Sequence, residues 1–146
     1  MSRLLREALF LCSLTLLPAG GSALLHRHEI PWRPDALRPG EISLQEALSA
    51  REPLLWVDAR PRSEYERGRI PEAMLLNEEE WDARVTAVLD RWQPGQRVVV
   101  YCDSGACRAS HAVAERLREF RMGPVFVLQG GWERWKRSRE SAGAGR

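Results

Sequence analysis

The segment Arg97-Val98-Val99-Val100-Tyr101 constrains the fold more than any other stretch of the chain. After Arg97 it is apolar without alternation, and a strand of that kind is buried on both faces, as in a parallel sheet covered by helices on each side. Leu54-Leu55-Trp56-Val57-Asp58 is a second such run, introduced by Pro53 and ending in a carboxylate. Val125-Phe126-Val127-Leu128 is a third, broken by Gly130-Gly131, and Ile70-Pro71-Glu72-Ala73-Met74-Leu75-Leu76 reads as a turn running into another strand. The spacing of Trp81, Val85, Val88, Leu89 and Trp92 predicts a helix over 81–92, and that of Ala112, Val113, Ala114, Leu117 and Phe120 predicts one over 110–120. Shorter helices are expected after Ser43, which has Glu46 at capping-box spacing, from Ser63 to Gly68, and from Trp132 to Arg139. This alternation implies an α/β fold: a mostly parallel sheet of about five strands, joined by right-handed crossovers, with helices on both faces. Sites in such sheets gather at the C-terminal ends of strands, and Cys102 lies at one of those ends.

The start of the chain is different in kind. Arg3 and Arg6 precede an uncharged run from Ala8 to Leu25, ALFLCSLTLLPAGGSALL, whose apolar heart ends at Pro18 and is followed by small residues. That is the layout of a secretory signal, with Gly21 and Ala23 small enough for cleavage after Ala23. The alternative is an uncleaved anchor, because eighteen uncharged residues reach the lower edge of the roughly 17–25 that span a bilayer. Residues 1–25 are therefore expected to be a signal peptide or membrane anchor, 26–40 a proline-rich linker, 41–138 one domain, and 139–146 a disordered tail. The domain is then exported, either periplasmic or otherwise extracytoplasmic, or held at the membrane by its N-terminal segment. About 120 residues remain after the leader, enough for a single core. Charged residues make up 29% of the chain with both signs interleaved, and the net charge is +2. No continuous basic stripe marks a nucleic-acid surface, so nucleic acid is not expected as a partner. His26 and His28 flank Arg27 in the linker without further ligand partners, and neither a metal nor an organic cofactor is implied.

The chemistry is expected in the loop that follows the strand at 97–101. Cys102-Asp103-Ser104-Gly105-Ala106-Cys107-Arg108 leads from that strand into a helix, an order that points successive backbone N–H groups at one spot. Negative charge is favoured there, so a thiol at that spot is held as the more reactive thiolate. Gly105 allows backbone conformations closed to other residues, and Arg108 can add a fixed positive charge with bidentate geometry. An inert core thiol is the alternative, but a second cysteine, a glycine and an arginine within six residues are more than a core requires. Asp58 and Arg60 sit at a neighbouring strand end and can orient the loop by hydrogen bonding. Trp132 and Trp135 read as packing. With the leader removed, Cys102 and Cys107 are the only cysteines, and an isolated pair in an exported protein is readily oxidised. Cys107 then either acts as a resolving partner that closes a disulfide with Cys102 or packs at the start of the helix.

Several separate motifs make the chain similar to a single-domain rhodanese homology module. Val57-Asp58-Ala59-Arg60, with Glu64-Tyr65 and Gly68-Arg69-Ile70-Pro71-Glu72-Ala73, resembles that family's "DvR...Ef..GHIpGA" signature. Val99-Val100-Tyr101-Cys102 resembles its strand and catalytic cysteine, and Leu128-Gln129-Gly130-Gly131-Trp132 its closing "L.GG...W". The likeness runs from about Ser43 to Lys136. It implies a sulfurtransferase or sulfur carrier in which the cysteine takes up a sulfane sulfur as a persulfide, with the loop amides holding the sulfur. The implied partners are a small sulfur donor of the thiosulfate or polysulfide class and a thiol acceptor or thiol reductant protein. Two places depart from the family pattern. Sulfur-transferring members usually carry an arginine five residues after the cysteine, where this chain has Cys107, with Arg108 next. Cys102 to Arg108, a cysteine, five residues and an arginine, also resembles the oxyanion loop of cell-cycle phosphatases and arsenate reductases of the same fold. Arg69 replaces the usual histidine in a turn, a change with structural consequences only. An oxyanion-handling enzyme, a thiol redox element and a non-catalytic binding module of the same fold therefore stand beside the sulfurtransferase.

Overall fold

The computed structural model of the chain describes residues 36–104 and 108–143. Residues 1–35, with the expected leader, His26 and His28, lie outside the described residues, as do Gly105, Ala106 and Cys107. Among the described residues ten elements follow in order: β1 (Glu41–Ile42), α1 (Leu44–Leu48), β2 (Leu55–Asp58), α2 (Arg62–Arg67), β3 (Met74–Leu75), α3 (Trp81–Arg91), β4 (Val98–Tyr101), α4 (Arg108–Glu119), β5 (Val125–Leu128) and α5 (Gly131–Gly143). The five strands form one sheet in the order β1-β5-β4-β2-β3, and every neighbouring pair is parallel.

Alternation along each strand divides the interior in two, because successive side chains point to opposite faces of a sheet. Leu55 and Val57, Val98 and Val100, and Val125 and Val127 face one way and pack against α3 and α4 through Trp81, Val88, Val113, Ala114 and Leu117. Trp56, Val99, Tyr101, Phe126 and Leu128 face the other way and meet Leu44 and Ala47 of α1 and Trp132 and Trp135 of α5. All four residues of β4 are fully buried. A strand covered by helices on both sides has no polar face, which is why its sequence does not alternate.

Apart from the last helix, the expected helices and the long apolar strands stand within two residues of their sequence limits. Ser43 caps α1, its hydroxyl accepting from the Glu46 N–H at 3.1 Å. Two elements differ. β1 is unannounced in the sequence because two residues show no period, yet the Val127 N–H donates to Gly40 and the Gln129 N–H to Ile42, which sews β1 to the edge of β5. The last helix does not stop at Arg139 but runs to Gly143, so residues expected in a disordered tail are helical. The Ser141 hydroxyl turns back onto the carbonyls of Arg137 and Ser138, one turn earlier in the same helix, at 3.0 Å.

Candidate active site

Strands β2 and β4 lie side by side in parallel register, Asp58 opposite Tyr101, so the residues that follow them emerge at the same edge of the sheet. After Tyr101 comes Cys102, buried to 5% exposure, then Asp103, half exposed on its side chain, and Ser104, exposed. Cys102 is disulfide-bonded. Arg108 opens α4 and is exposed. The middle of the expected anion cradle, Gly105 to Cys107, lies outside the described residues.

Beneath the loop is a buried ion pair. Asp58 and Arg60 are both buried, at 0% and 1% exposure. The guanidinium makes three hydrogen bonds to the carboxylate, Nη2 donating to Oδ2 at 2.7 Å and Nε to Oδ1 at 3.0 Å and Oδ2 at 3.2 Å, while the Arg60 backbone N–H also donates to Oδ1. Bidentate geometry of this kind is what an arginine and a carboxylate make best. Arg60 then reaches outward from the pair. Its Nη2 donates to the Gly68 carbonyl at 2.6 Å and its Nη1 stands 3.5 Å from Asp103 Oδ1. The guanidinium lies over the Trp132 ring at 4.8 Å and the Tyr101 ring at 5.6 Å. Burial opposes the charge on Arg60, but the hydrogen bonds and charge of Asp58 outweigh it and hold the guanidinium above its ordinary pKa. The Tyr101 hydroxyl accepts from the Ile70 N–H at 3.1 Å, and burial, followed by the charge of Asp58, pushes the phenol well above its usual range. Tyr101 therefore stays neutral and acts as a strut between β4 and the turn at 68–71. Asn77 completes the support, its amide donating to the Arg60 carbonyl and its oxygen accepting from the Glu80 N–H. One ion pair thus ties together the chain after β2, the turn after α2 and the cysteine loop after β4.

A second set of contacts comes from α5. The Trp132 N–H donates to the Cys102 carbonyl at 2.7 Å and the Glu133 N–H to the Asp103 carbonyl at 3.0 Å. Of the residues expected to act together, the structure gathers Cys102, Asp103, Asp58 and Arg60 into one cluster and adds Trp132. Trp135 packs away from the loop, edge to face with Trp56 at 6.0 Å. The sequence expectation missed Gly68, Asn77, Tyr101 and the first turn of α5. Gly68, Asn77 and Tyr101 contribute a backbone carbonyl or neutral side chains that carry no chemical signature, whereas the Gly130-Gly131 pair before a tryptophan was visible as a motif without being given a part in the site. Arg69 is exposed in its turn and stacks over Tyr65 at 4.5 Å. Among the described residues no group of three or more His, Cys, Asp or Glu is placed to hold a metal ion, and no helix is long and apolar enough to cross a membrane.

The Rhodanese-like domain family model matches residues 43–138. The fold is similar to that of a rhodanese-like domain protein from Staphylococcus aureus, with a TM-score of 0.52 and 26% identity over 65% of this chain and 89% of that one. A protein from Bacillus halodurans superposes with a TM-score of 0.57 and 21% identity, covering 68% of this chain and 72% of that one. A rhodanese-related protein from Thermoplasma volcanium gives 0.54 and 17%, covering 67% and 91%. The last two likenesses speak to fold alone. No curated protein matches the chain.

Proposed function

The chain belongs to the rhodanese-like domain family, and from that premise we propose that it is a sulfurtransferase or sulfur carrier working through a persulfide on Cys102. The observation that carries the proposal is the placement of Cys102 directly after the central strand, at the head of a loop braced by Arg60 on one side and by α5 on the other. In the first step the Cys102 thiolate attacks the outer sulfur of a donor such as thiosulfate. A Cys102–sulfur bond forms, the sulfur–sulfur bond of the donor breaks, and sulfite leaves with the electron pair. In the second step an acceptor thiolate attacks the outer sulfur of the persulfide and Cys102 leaves as the thiolate, so no net oxidation is required. Bracing matters because a nucleophile held in one geometry avoids the entropic cost of finding it. Mass spectrometry of the reduced protein after treatment with thiosulfate or polysulfide should show a gain of one sulfur atom on the peptide bearing Cys102. No gain with either donor would overturn the proposal.

The disulfide at Cys102 favours a second role for the same thiol, that of a redox element. We propose Cys107 as its resolving partner. The Cys107 thiolate attacks Cys102 Sγ of the persulfide, hydrosulfide leaves, and a Cys102–Cys107 disulfide forms. Two electrons from a thiol reductant protein then return both thiols. Residues 1–25 would place this chemistry outside the reducing cytosol, where the disulfide persists between turnovers. Sulfur uptake by air-isolated protein should accordingly need a reductant, and Cys107→Ser should remove that need while keeping the persulfide. Equal uptake with and without reductant in the unsubstituted protein would remove the redox role and leave sulfur transfer standing.

A further inference from the structure

We infer that Gly131 is a positioning residue for the reactive thiol, holding the first turn of α5 against the backbone of Cys102. The inference rests on Cys102 being the nucleophile and assigns a part of the site outside its own loop. Gly131 has φ +51°, in the left-handed region, and Gly130 before it has φ +75°. The two positions differ in what surrounds them. A Cβ on Gly131 would overlap the Cys102 carbonyl oxygen and stand 3.0 Å from its carbonyl carbon and 3.1 Å from that of Asp103. A Cβ on Gly130 would meet only the side chain of Arg134, its nearest atom at 3.0 Å. Glycine at 131 is thus required twice, by its backbone angle and by the approach of another part of the chain, whereas at 130 the angle dominates.

That approach is what brings the N–H groups of Trp132 and Glu133 within hydrogen-bond reach of the Cys102 and Asp103 carbonyls, at 2.7 and 3.0 Å. These are the N–H groups that a helix leaves without partners in its own first turn. Here they are taken up by the two peptide carbonyls at the head of the loop, and because each peptide is planar this fixes where the N–H groups of Asp103 and Ser104 point. A side chain at 131 must push the Cys102 carbonyl aside, turn its peptide and loosen both bonds. The thiolate then loses part of the backbone field that stabilises it.

The experiment compares Gly131→Ala with Gly130→Ala in the reduced full chain. Both variants force alanine into a left-handed conformation and so share the backbone penalty. The charged groups packed about the junction, Asp58, Arg60, Asp103 and Glu133, are the same in both. The readout is the rate of alkylation of Cys102 by iodoacetamide across pH, resolved by peptide mapping. Gly131→Ala should slow the reaction at neutral pH on the order of tenfold and move the midpoint of its pH profile upward, tenfold corresponding to one unit. Gly130→Ala should stay within about twofold of the parent at matched folded fraction. If Gly131→Ala does not fold, Glu133→Pro against Glu133→Ala tests the same pair of bonds, since proline is tolerated in a first helical turn but removes the Glu133 N–H and disfavours the helical angles of Trp132 before it. Glu133→Pro should then be the slower of the two. Equal rates for the two glycine variants, or for the two Glu133 variants, would overturn the inference. A parent Cys102 that reacts no faster than free cysteine would instead overturn the reactive-thiol reading beneath it.

Discussion

Replacing Cys102 by serine should abolish sulfur transfer, lowering kcat/KM on the order of 10³-fold or more while leaving the fold in place. A serine hydroxyl is close in size to the thiol, and the site is already buried against β4 and α5, so packing changes little. Chemistry changes entirely. An alkoxide is inaccessible near neutral pH, and an oxygen cannot hold a sulfane sulfur in a bond that a second thiol opens again. Neither the braced loop nor the buried ion pair can supply a missing nucleophile, because both act only by positioning it. The comparison should be made with reduced parent protein, since the substitution also removes the Cys102 disulfide and whatever that contributes to stability. Turnover of a thiosulfate or polysulfide donor to a thiol acceptor is the measurement. Activity within tenfold of the parent would move the reaction to another group and leave Cys102 a core thiol.

Arg60→Ala should cost about 3–5 kcal/mol of folding stability, the range for breaking a buried pair by removing one partner. Asp58 would be left fully buried without its cation, the Gly68 carbonyl without its donor, and the rings of Trp132 and Tyr101 without the cation over them. Against a typical total of about 5–15 kcal/mol this is a large share, and the melting temperature should fall by at least about 10 °C. Because the folded state raises the pKa of Arg60, its contribution is fully present below the ordinary guanidinium value and is lost only as pH rises beyond it. Titration of Arg60 itself therefore adds no pH dependence to stability in the neutral range. A double variant, Asp58→Leu with Arg60→Met, should recover part of the loss, since two apolar side chains leave no charge stranded. Denaturant titrations of the three proteins decide the matter. A loss below about 1 kcal/mol in Arg60→Ala would mean that water reaches Asp58, and the ion pair would no longer explain how the loops after β2 and β4 are joined.

The sequence alone determined the layers of the fold and the address of the thiol. Val98 to Tyr101 is apolar at every position, which a covered strand explains, and the helical spacing from Trp81 to Trp92 leaves no room for another element. A cysteine directly after that strand must then stand at the sheet edge where loops converge. Such conclusions come from local periodicity, which a chain carries wherever a whole face is buried. β1 escaped because two residues have no period, and its place is set by hydrogen bonds to β5, more than eighty residues away. The extension of α5 to Gly143 escaped because a polar, small-residue segment carries no apolar face to mark it. Asp58 and Arg60 were visible as charges at a strand end, but a charged pair in a sequence reads the same whether it is solvated or sealed. Tertiary packing sealed it, by laying Trp132 over the guanidinium and closing the turn at Gly68 beside it. The contact of Gly131 with Cys102 lay furthest from view. It joins backbone to backbone across twenty-nine residues, and peptide groups are identical at every position, so only the folded chain decides which N–H meets which carbonyl.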